Sequence, residues 1–422
     1  MRLAKMKKHV LIIPDGAGDV YRVFGRSPLA IARTPHMDFL AREGTCGRMQ
    51  TLYDDLPKES IVAQLGMLGW DPHRHYPHGR ASCELLALED VSLNEKDIAF
   101  RANMVCMKNR TLISYSADCI PSHLSRVLVQ RINQETRAEF SDFELYHNAD
   151  FRNTLVVRSA GVNPLALRCP EPHENHGREF DVTRLIEGTD GPSKRLAERL
   201  NRYLQGVARL LVGERANMLF PWSPSVVLKL TPFSENVGFD ARVAIVGCMD
   251  FLHGIAKAGQ LDFFKIGNGQ PDTDYAAKGA QTVQLLADGY GFVICHINGP
   301  DEAAHMGNVQ LKIESLEKID EFIVGPVVKY FQTRPDELGG VLIAPDHFTN
   351  YVPNIHEKKR VEVHSADPVP FALWNGTERD AARYYSEDDV MLGAYASPPV
   401  SHLDLLTLLG VARHSKYKTK AS

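Results

Sequence analysis

Residues 291–305 read GFVICHINGPDEAAH, a short apolar run followed at once by a Gly-Pro turn and two side chains that can do chemistry, Asp301 and His305. A run this short, rich in β-branched residues and closed by turn residues, predicts a buried strand ending in a loop. The same plan occurs at 340–349 (GVLIAPDHFT) and at 10–16 (VLIIPDG), and a further apolar run stands at 242–246 (RVAIV). Helical spacing fills the intervals at 250–257, 274–288 and 311–330. Upstream, 35–43 (PHMDFLARE) places Met37, Phe39 and Leu40 on one side of a helix, and Ser60 opens another that Gly69-Trp70 closes. Strands apolar on both faces, alternating with helices, predict an α/β fold in which helices sandwich a mostly parallel sheet.

The pattern changes character over residues 108–211. That segment has its own strand-like pieces (112–115, 153–157), its own helices (121–133, 193–211) and a loop rich in Pro, His and Glu, RCPEPHENHGREF. It reads as an inserted smaller α+β domain, leaving 1–107 and 212–422 as one discontinuous domain. A chain of 422 residues is long enough for two to three domains, and 44% hydrophobic against 24% charged residues gives it a sizeable core.

The 48 Lys+Arg and 52 Asp+Glu give a formal charge of −4, which argues against a nucleic-acid binder working through a broadly basic surface. The 7 cysteines are odd in number and widely spaced, with no CxxC, so neither a disulfide framework nor a cysteine zinc site is expected; a reducing, cytoplasmic setting fits. No apolar run approaches the roughly 20 residues of a membrane span. The opening MRLAKMKKHVLIIPDG is basic, then apolar, but its apolar part stops at Pro14, too soon for a signal peptide. The stretch 414–422 reads as a polar, basic end.

Three predicted strands end in candidate ligands: Asp15 after the first, Asp301 and His305 after the second, Asp346 and His347 after the third. In a parallel sheet, ligand sites lie beyond the carboxyl ends of the strands, so these five side chains are expected at one edge. His364, in VHSADPVPF, precedes another apolar segment. Aspartate with neutral histidine suits Mn, Fe, Co or Zn better than Mg or Ca. The spacing of Asp301 and His305 puts both on one face of a helix. A pair of such metals polarises phosphoryl oxygens and activates a hydroxyl. Ser60, at a loop-to-helix junction, is a candidate for that hydroxyl; as a residue in isolation it reads rather as an N-cap.

Taken in order, Asp15-Gly16, Ser60, Asp301-x-x-x-His305, Asp346-His347 and His364 resemble the alkaline phosphatase superfamily. Within it they resemble the archaeal-type cofactor-independent (2,3-bisphosphoglycerate-independent) phosphoglycerate mutases. SPLAIARTPHMDFLAREGTCG, LGMLGWDPHRHYPHGRASCELLAL, DIAFRANMV, DTDYAAKGAQTVQLL and HSADPVPF are also similar to that family, over most of residues 8–375. The resemblance implies an isomerase that moves a phosphoryl group within a small phosphorylated metabolite through a phosphoserine, in glycolysis, with two divalent metal ions per chain. Mn²⁺ is the expected ion, with Zn²⁺, Co²⁺ or Mg²⁺ as alternatives. It implies Ser60 as nucleophile, one metal held by Asp15, Ser60, Asp346 and His347, and the other by Asp301, His305 and His364. The insertion would cover the substrate. Arg80, Lys278, Arg152, His173 and His176 are the candidate substrate contacts.

The sequence departs from the family pattern at several places. Glu59 and Ile61 flank Ser60, where the family usually has Gly and an acid. Met306 follows His305 in place of Asp, Trp222 stands in place of an Arg, and Phe348 follows Asp346-His347 in place of a small hydroxyl residue. These changes raise two other readings. One is a related phosphotransferase or phosphatase with a different substrate, homoserine-kinase-like or of a phosphonate pathway; the other is a non-catalytic metal-binding homologue. Oligomeric state is not legible.

Overall fold

The computed structural model describes residues 5–23, 25–88, 91–351 and 363–412; the stretch 414–422 lies outside the described residues. The chain divides into two compact units, residues 1–75 with 230–422, and residues 76–229.

The first unit is built on an eight-stranded sheet. Its strands are β1 (Lys8–Pro14), β2 (Thr45–Gln50), β3 (Val243–Gly247), β4 (Asp262–Lys265), β5 (Phe292–Ile297), β6 (Leu338–Ile343), β7 (Val369–Trp374) and β8 (Tyr395–Ser401). They lie in the order β4-β3-β5-β1-β6-β7-β2-β8. Strands β4 to β6 along this order run parallel, β7 is antiparallel to both its neighbours, and β8 pairs β2 in parallel. In β1 the consecutive Val10, Leu11, Ile12 and Ile13 are all fully buried, as they must be in a sheet covered on both faces.

The helices that carry or flank the candidate ligands are α1 (Pro35–Arg42), α2 (Ser60–Met67), α3 (Tyr275–Ala287), α4 (Gly299–His305) and α5 (Val309–Ile319). The helix expected over 311–330 is interrupted by a π-helical turn at Asp320–Val324, whose Asp320 carboxylate accepts from the N–H groups of His36 (3.0 Å) and Met37 (2.7 Å) at the start of α1. The central strands are in register at their carboxyl ends: Ile13 pairs His296 and Ile12 pairs Ile343. This alignment places the loops after β1, β5 and β6 side by side.

The second unit has a sheet of its own. The long strand Ile98–Lys108 pairs with Thr111–Ser114, with Arg152–Val157 and with Met218–Ser225, all antiparallel. Helices Ser122–Thr136 and Gly191–Leu210 supply Leu128, Ile132, Leu200 and Leu204 to its core. The unit is wider on both sides than the expected 108–211. The cause is the Ile98–Lys108 strand, whose partners lie at 152–157 and 218–225, so the segments flanking 108–211 belong to the same sheet. Among the described residues no helix is long and apolar enough to cross a membrane.

Candidate metal and phosphoryl-transfer site

Asp15 is the first residue after β1, and its N–H donates to Ile297 O at 2.9 Å, tying the loop to the end of β5. Gly16 follows with φ +64°, and a Cβ there would lie 2.3 Å from Thr349 Oγ1. Only glycine accommodates both the left-handed backbone and that approach. Its N–H donates to Asp346 Oδ1 at 3.2 Å, joining the loop after β1 to the loop after β6. Asp346 also accepts from its neighbour's N–H (His347, 3.1 Å) and from Gln64 Nε2 on α2 (3.1 Å).

Asp301 and His305 stand one turn apart on α4, with Asp301 Oδ1 3.4 Å from His305 Nε2 and 3.3 Å from His364 Nε2. His364 reaches the site through a two-residue antiparallel pairing of Phe348–Thr349 with His364–Ser365. Its Nδ1 lies 2.9 Å from Lys58 O. A carbonyl only accepts, so Nδ1 carries the proton and Nε2 is turned toward the site.

Thr349 fixes His347 in the same way. The Thr349 hydroxyl has one proton, which it donates to Asp301 Oδ1 at 2.6 Å. It therefore accepts from His347 Nδ1, 3.1 Å away. His347 Nε2 is left as an acceptor, facing Ser60 Oγ at 3.0 Å and Asp15 Oδ1 at 3.4 Å. Ser60 is the first residue of α2, and Glu59 takes the N-cap position without a side-chain capping bond. The serine hydroxyl is therefore not spent on capping the helix; it points at His347.

The carboxylates of the site are buried and crowded. Asp15, Asp301 and Asp346 are at most 7% exposed, and among the described residues their ion-pair partners are histidines. Burial, together with the Asp346 and Asp301 charges, pushes the Asp15 carboxyl well above the ordinary range. Burial alone would raise Asp301 too, but its hydrogen bonds with His305 and His364 hold it well below. Asp346 is lowered against the same burial by His347 and His296. Burial lowers His347, and it takes His296 down to about 4. For His364 the pull of Asp301 outweighs burial and raises it.

These side chains form two groups whose potential ligand atoms lie within 4.8 Å of one another: Asp15, His296 and Asp346, and Asp301, His347 and His364. A divalent cation fits this donor set. Among the described residues Asp15 Oδ1 and both ring nitrogens of His296 are buried without a hydrogen-bond partner, although Asp15 Oδ1 is 3.4 Å from His347 Nε2 and His296 Nε2 is 3.3 Å from Asp15 Oδ2. Unpaired buried polar atoms are costly, and a bound cation would satisfy them.

The five residues named from the strand-end pattern, with Ser60 and His364, thus converge in the first unit. His347 faces both groups. Lys278 is fully buried on α3, with Nζ donating to His296 O at 3.1 Å. The other four substrate candidates lie in the second unit. Arg80 and Arg101 share Glu84 (3.5 and 3.0 Å), and Arg101 lies 4.3 Å from the centre of the Trp222 ring. His173 meets the edge of that ring at 5.2 Å and pairs with Glu171 at 3.3 Å, and Arg152 stacks on Phe151 at 4.5 Å. His176 is exposed on the same loop as His173. Arg101 is buried, which lowers its guanidinium to about 10 against the pull of Glu84; Arg80 and Arg152 are near enough to add to that lowering.

Sequence reasoning missed His296, Thr349, Gln64 and Arg101. His296 did leave a signal: an ionisable side chain in the middle of an otherwise apolar strand buried on both faces demands a partner. Thr349, Gln64 and Arg101 look like ordinary loop, helix and strand residues until their neighbours are known. The departures are placed as well. Ile61 is buried, Met306 is 55% exposed, and Phe348 packs so closely on Gly18 that a Cβ on that glycine would meet its ring at 2.1 Å. Trp222 donates from Nε1 to Asn103 Oδ1 at 3.0 Å.

A helix-covered, mostly parallel sheet with Asp/His ligand sets beyond three adjacent strand ends defines the alkaline-phosphatase-like class. A family model described as 2,3-bisphosphoglycerate-independent phosphoglycerate mutase matches residues 41–217. A relative of that name from Methanothrix thermoacetophila is 30% identical over 413 residues, covering 95% of this chain and 99% of its own. Another from Methanosarcina barkeri is 29% identical over 419 residues, 96% of this chain and 100% of its own. Among solved structures, a protein from Pyrococcus horikoshii shares the fold at TM-score 0.74 and 24% identity, over 97% of this chain and 99% of its own. A cofactor-independent phosphoglycerate mutase from Thermoplasma acidophilum does so at 0.61 and 23%, over 96% and 99%. The chain belongs to the 2,3-bisphosphoglycerate-independent phosphoglycerate mutase family.

Proposed function

We propose that this chain is a metal-dependent phosphomutase that interconverts 2- and 3-phosphoglycerate in cytoplasmic glycolysis, passing the phosphoryl group through Ser60. The observation that carries the reading is the Ser60 hydroxyl, 3.0 Å from an imidazole nitrogen whose other nitrogen is already committed to Thr349. Asp15, Asp346 and His347, with Ser60, would hold one ion, and Asp301, His305 and His364 the other; His296 stands beside the first set. Mn²⁺ is the leading ion, with Zn²⁺, Co²⁺ and Mg²⁺ as alternatives. Bound there, the ions would neutralise charge on the phosphoryl oxygens and lower the pKa of the serine hydroxyl.

The chain's own residues do the rest. The one lone pair of His347 Nε2 would hold the ion beside Ser60 Oγ, and the serine proton would pass to water as the oxygen attacks phosphorus. The start of α2 places backbone N–H groups and the positive end of the helix beside the transferred group. The His364 link to Lys58 O pins the loop that delivers Ser60. A phosphoserine lets one substrate molecule turn over and take the group back at its other hydroxyl, so no bisphosphate primer is needed. Lys278 adds positive charge behind His296. Arg80, Arg152, His173 and His176, with Arg101, are the proposed contacts for the anionic end of the substrate. The near full-length relatives carry the mutase name, and no comparison favours the homoserine-kinase-like, phosphonate-pathway, phosphatase or non-catalytic readings.

The test is mutase activity of the purified chain with Mn²⁺, before and after chelation, beside Ser60→Ala. Activity that requires both the metal and Ser60 is expected. Metal-bound protein with no activity on phosphoglycerates would refute the substrate, and an active Ser60→Ala would refute the covalent route.

A further inference from the structure

Lys312, on α5, is fully buried, and so is its ion-pair partner Asp19. Its ammonium group donates to Gly18 O at 3.1 Å, to Thr349 O at 2.7 Å and to Asp19 Oδ2 at 3.0 Å. An ammonium has three protons, and all three are used. Both oxygens of Asp19 are engaged in turn: Oδ2 also accepts from Tyr351 N at 3.0 Å, and Oδ1 accepts from Tyr21 N at 2.8 Å.

The three acceptors lie on different parts of the site. Gly18 and Asp19 end the loop that starts with Asp15, and Thr349 sits in the loop that starts with Asp346 and His347. Lys312 itself is one short turn beyond α4, which carries Asp301 and His305. The residue whose carbonyl Lys312 grips is also the residue whose hydroxyl holds Asp301 at 2.6 Å and orients His347 at 3.1 Å. A shift of the Thr349 backbone would therefore disturb Asp301 and His347 together. The two loops touch directly as well, through bridges from Ala17 and Gly18 to Phe348, so a small change in their separation has no slack to absorb it.

We propose that Lys312, with Asp19, is a positioning pair that sets the spacing between the loops carrying the two metal-ligand groups, and so tunes metal affinity from outside the ligand shell. This rests on the metal-dependent reading of the site. Stability alone is a poor reason for such a pair, because well-packed apolar residues commonly replace a buried ion pair without loss. What apolar residues could not replace is three directed hydrogen bonds to two loops. Groups that orient metal ligands typically change affinity or activity by roughly 10–100-fold when removed.

The test is titration of the full chain with Mn²⁺ alone, followed by calorimetry, with thermal melts of the chelated protein alongside. Lys312→Met strands the Asp19 carboxylate, so the double variant Lys312→Met with Asp19→Asn separates the effects. The double variant is expected to melt near the wild type in chelator, yet to bind Mn²⁺ about tenfold or more weakly, with kcat reduced and KM for phosphoglycerate little moved. A double variant that binds Mn²⁺ as tightly as the wild type overturns the proposal, whatever happens to its melting temperature. If the wild type binds Mn²⁺ but does not isomerise phosphoglycerate, the substrate reading fails while the metal titration still decides the role of Lys312. If the wild type binds no Mn²⁺ or other divalent ion, both fail.

Discussion

The two metal-ligand groups are built from similar residues but are left in opposite electrostatic states. Around Asp301 the carboxylate is already paired: His305, His364 and Thr349 all lie within 3.4 Å, and the group opens toward solvent, with the His305 side chain 39% exposed. Around Asp15 and Asp346 everything is sealed. Two carboxylates face each other with a neutral histidine, one oxygen of Asp15 and both nitrogens of His296 have no hydrogen-bond partner among the described residues, and the Asp15 carboxyl is forced far up. The open group is stable without a cation, whereas the closed group needs a proton or a cation. Ser60 faces His347, which lies 3.4 Å from Asp15 and is also grouped with Asp301 and His364, so the serine stands between the two halves.

The largest expected effect comes from this difference. Ser60→Ala should reduce mutase turnover by on the order of 10⁴-fold or more in a steady-state assay, while Mn²⁺ binding at the open group is retained. Next, neutralising one carboxylate in each half should move the melting temperature of the chelated protein in opposite directions. Asp15→Asn relieves a buried repulsion and should raise it. Asp301→Asn breaks charge-assisted hydrogen bonds and should lower it, through a loss of roughly 1–3 kcal/mol of stability. Both should lose Mn²⁺ affinity in calorimetry. Equal signs in the chelated melts would erase the distinction between the halves.

The same distinction has a pH signature in chelated protein. The folded pKa of Asp15 is raised above its ordinary 3.8, so its contribution is fully present below that value and is lost as pH rises through the folded pKa. Asp301 is lowered, so its contribution is present above 3.8 and is lost as pH falls below it. Other buried groups titrate in the same range with the opposite sign, His296 among them, so the signature is a difference. In denaturant melts above pH 3.8 the stability of the wild type relative to Asp15→Asn should decline as pH rises, and saturating Mn²⁺ should remove that decline. The smallest effect is expected in the second unit. Trp222→Phe keeps the ring over Arg101 but loses the bond to Asn103, and should raise KM several-fold with kcat nearly unchanged.

The convergence of the candidate ligands was legible because chain order and sheet topology coincide. A strand buried on both faces leaves its first polar residue at the carboxyl end, so Asp15, Asp301 and Asp346 announce themselves after apolar runs. His364 was visible as a residue, but the two-residue pairing that returns it to the site has no periodicity to read. The groups that orient the ligands were not legible at all. Thr349 and Lys312 work through one hydroxyl and one ammonium whose partners are distant in sequence, and nothing in their local context separates them from solvent-facing residues. The boundaries of the second unit were missed for a related reason. Its longest strand begins at Ile98, and its last partner, Met218–Ser225, contains two prolines, which reads as loop rather than strand.

The central claim is that Ser60 carries the phosphoryl group between the two hydroxyls. The most direct measurement is intact-protein and peptide mass spectrometry of Mn²⁺-loaded protein quenched in acid during turnover of 3-phosphoglycerate. One phosphoryl group on the peptide containing Ser60, absent after chelation and absent in Ser60→Ala, is the predicted result. Unmodified Ser60 in protein that is interconverting the two phosphoglycerates would contradict it.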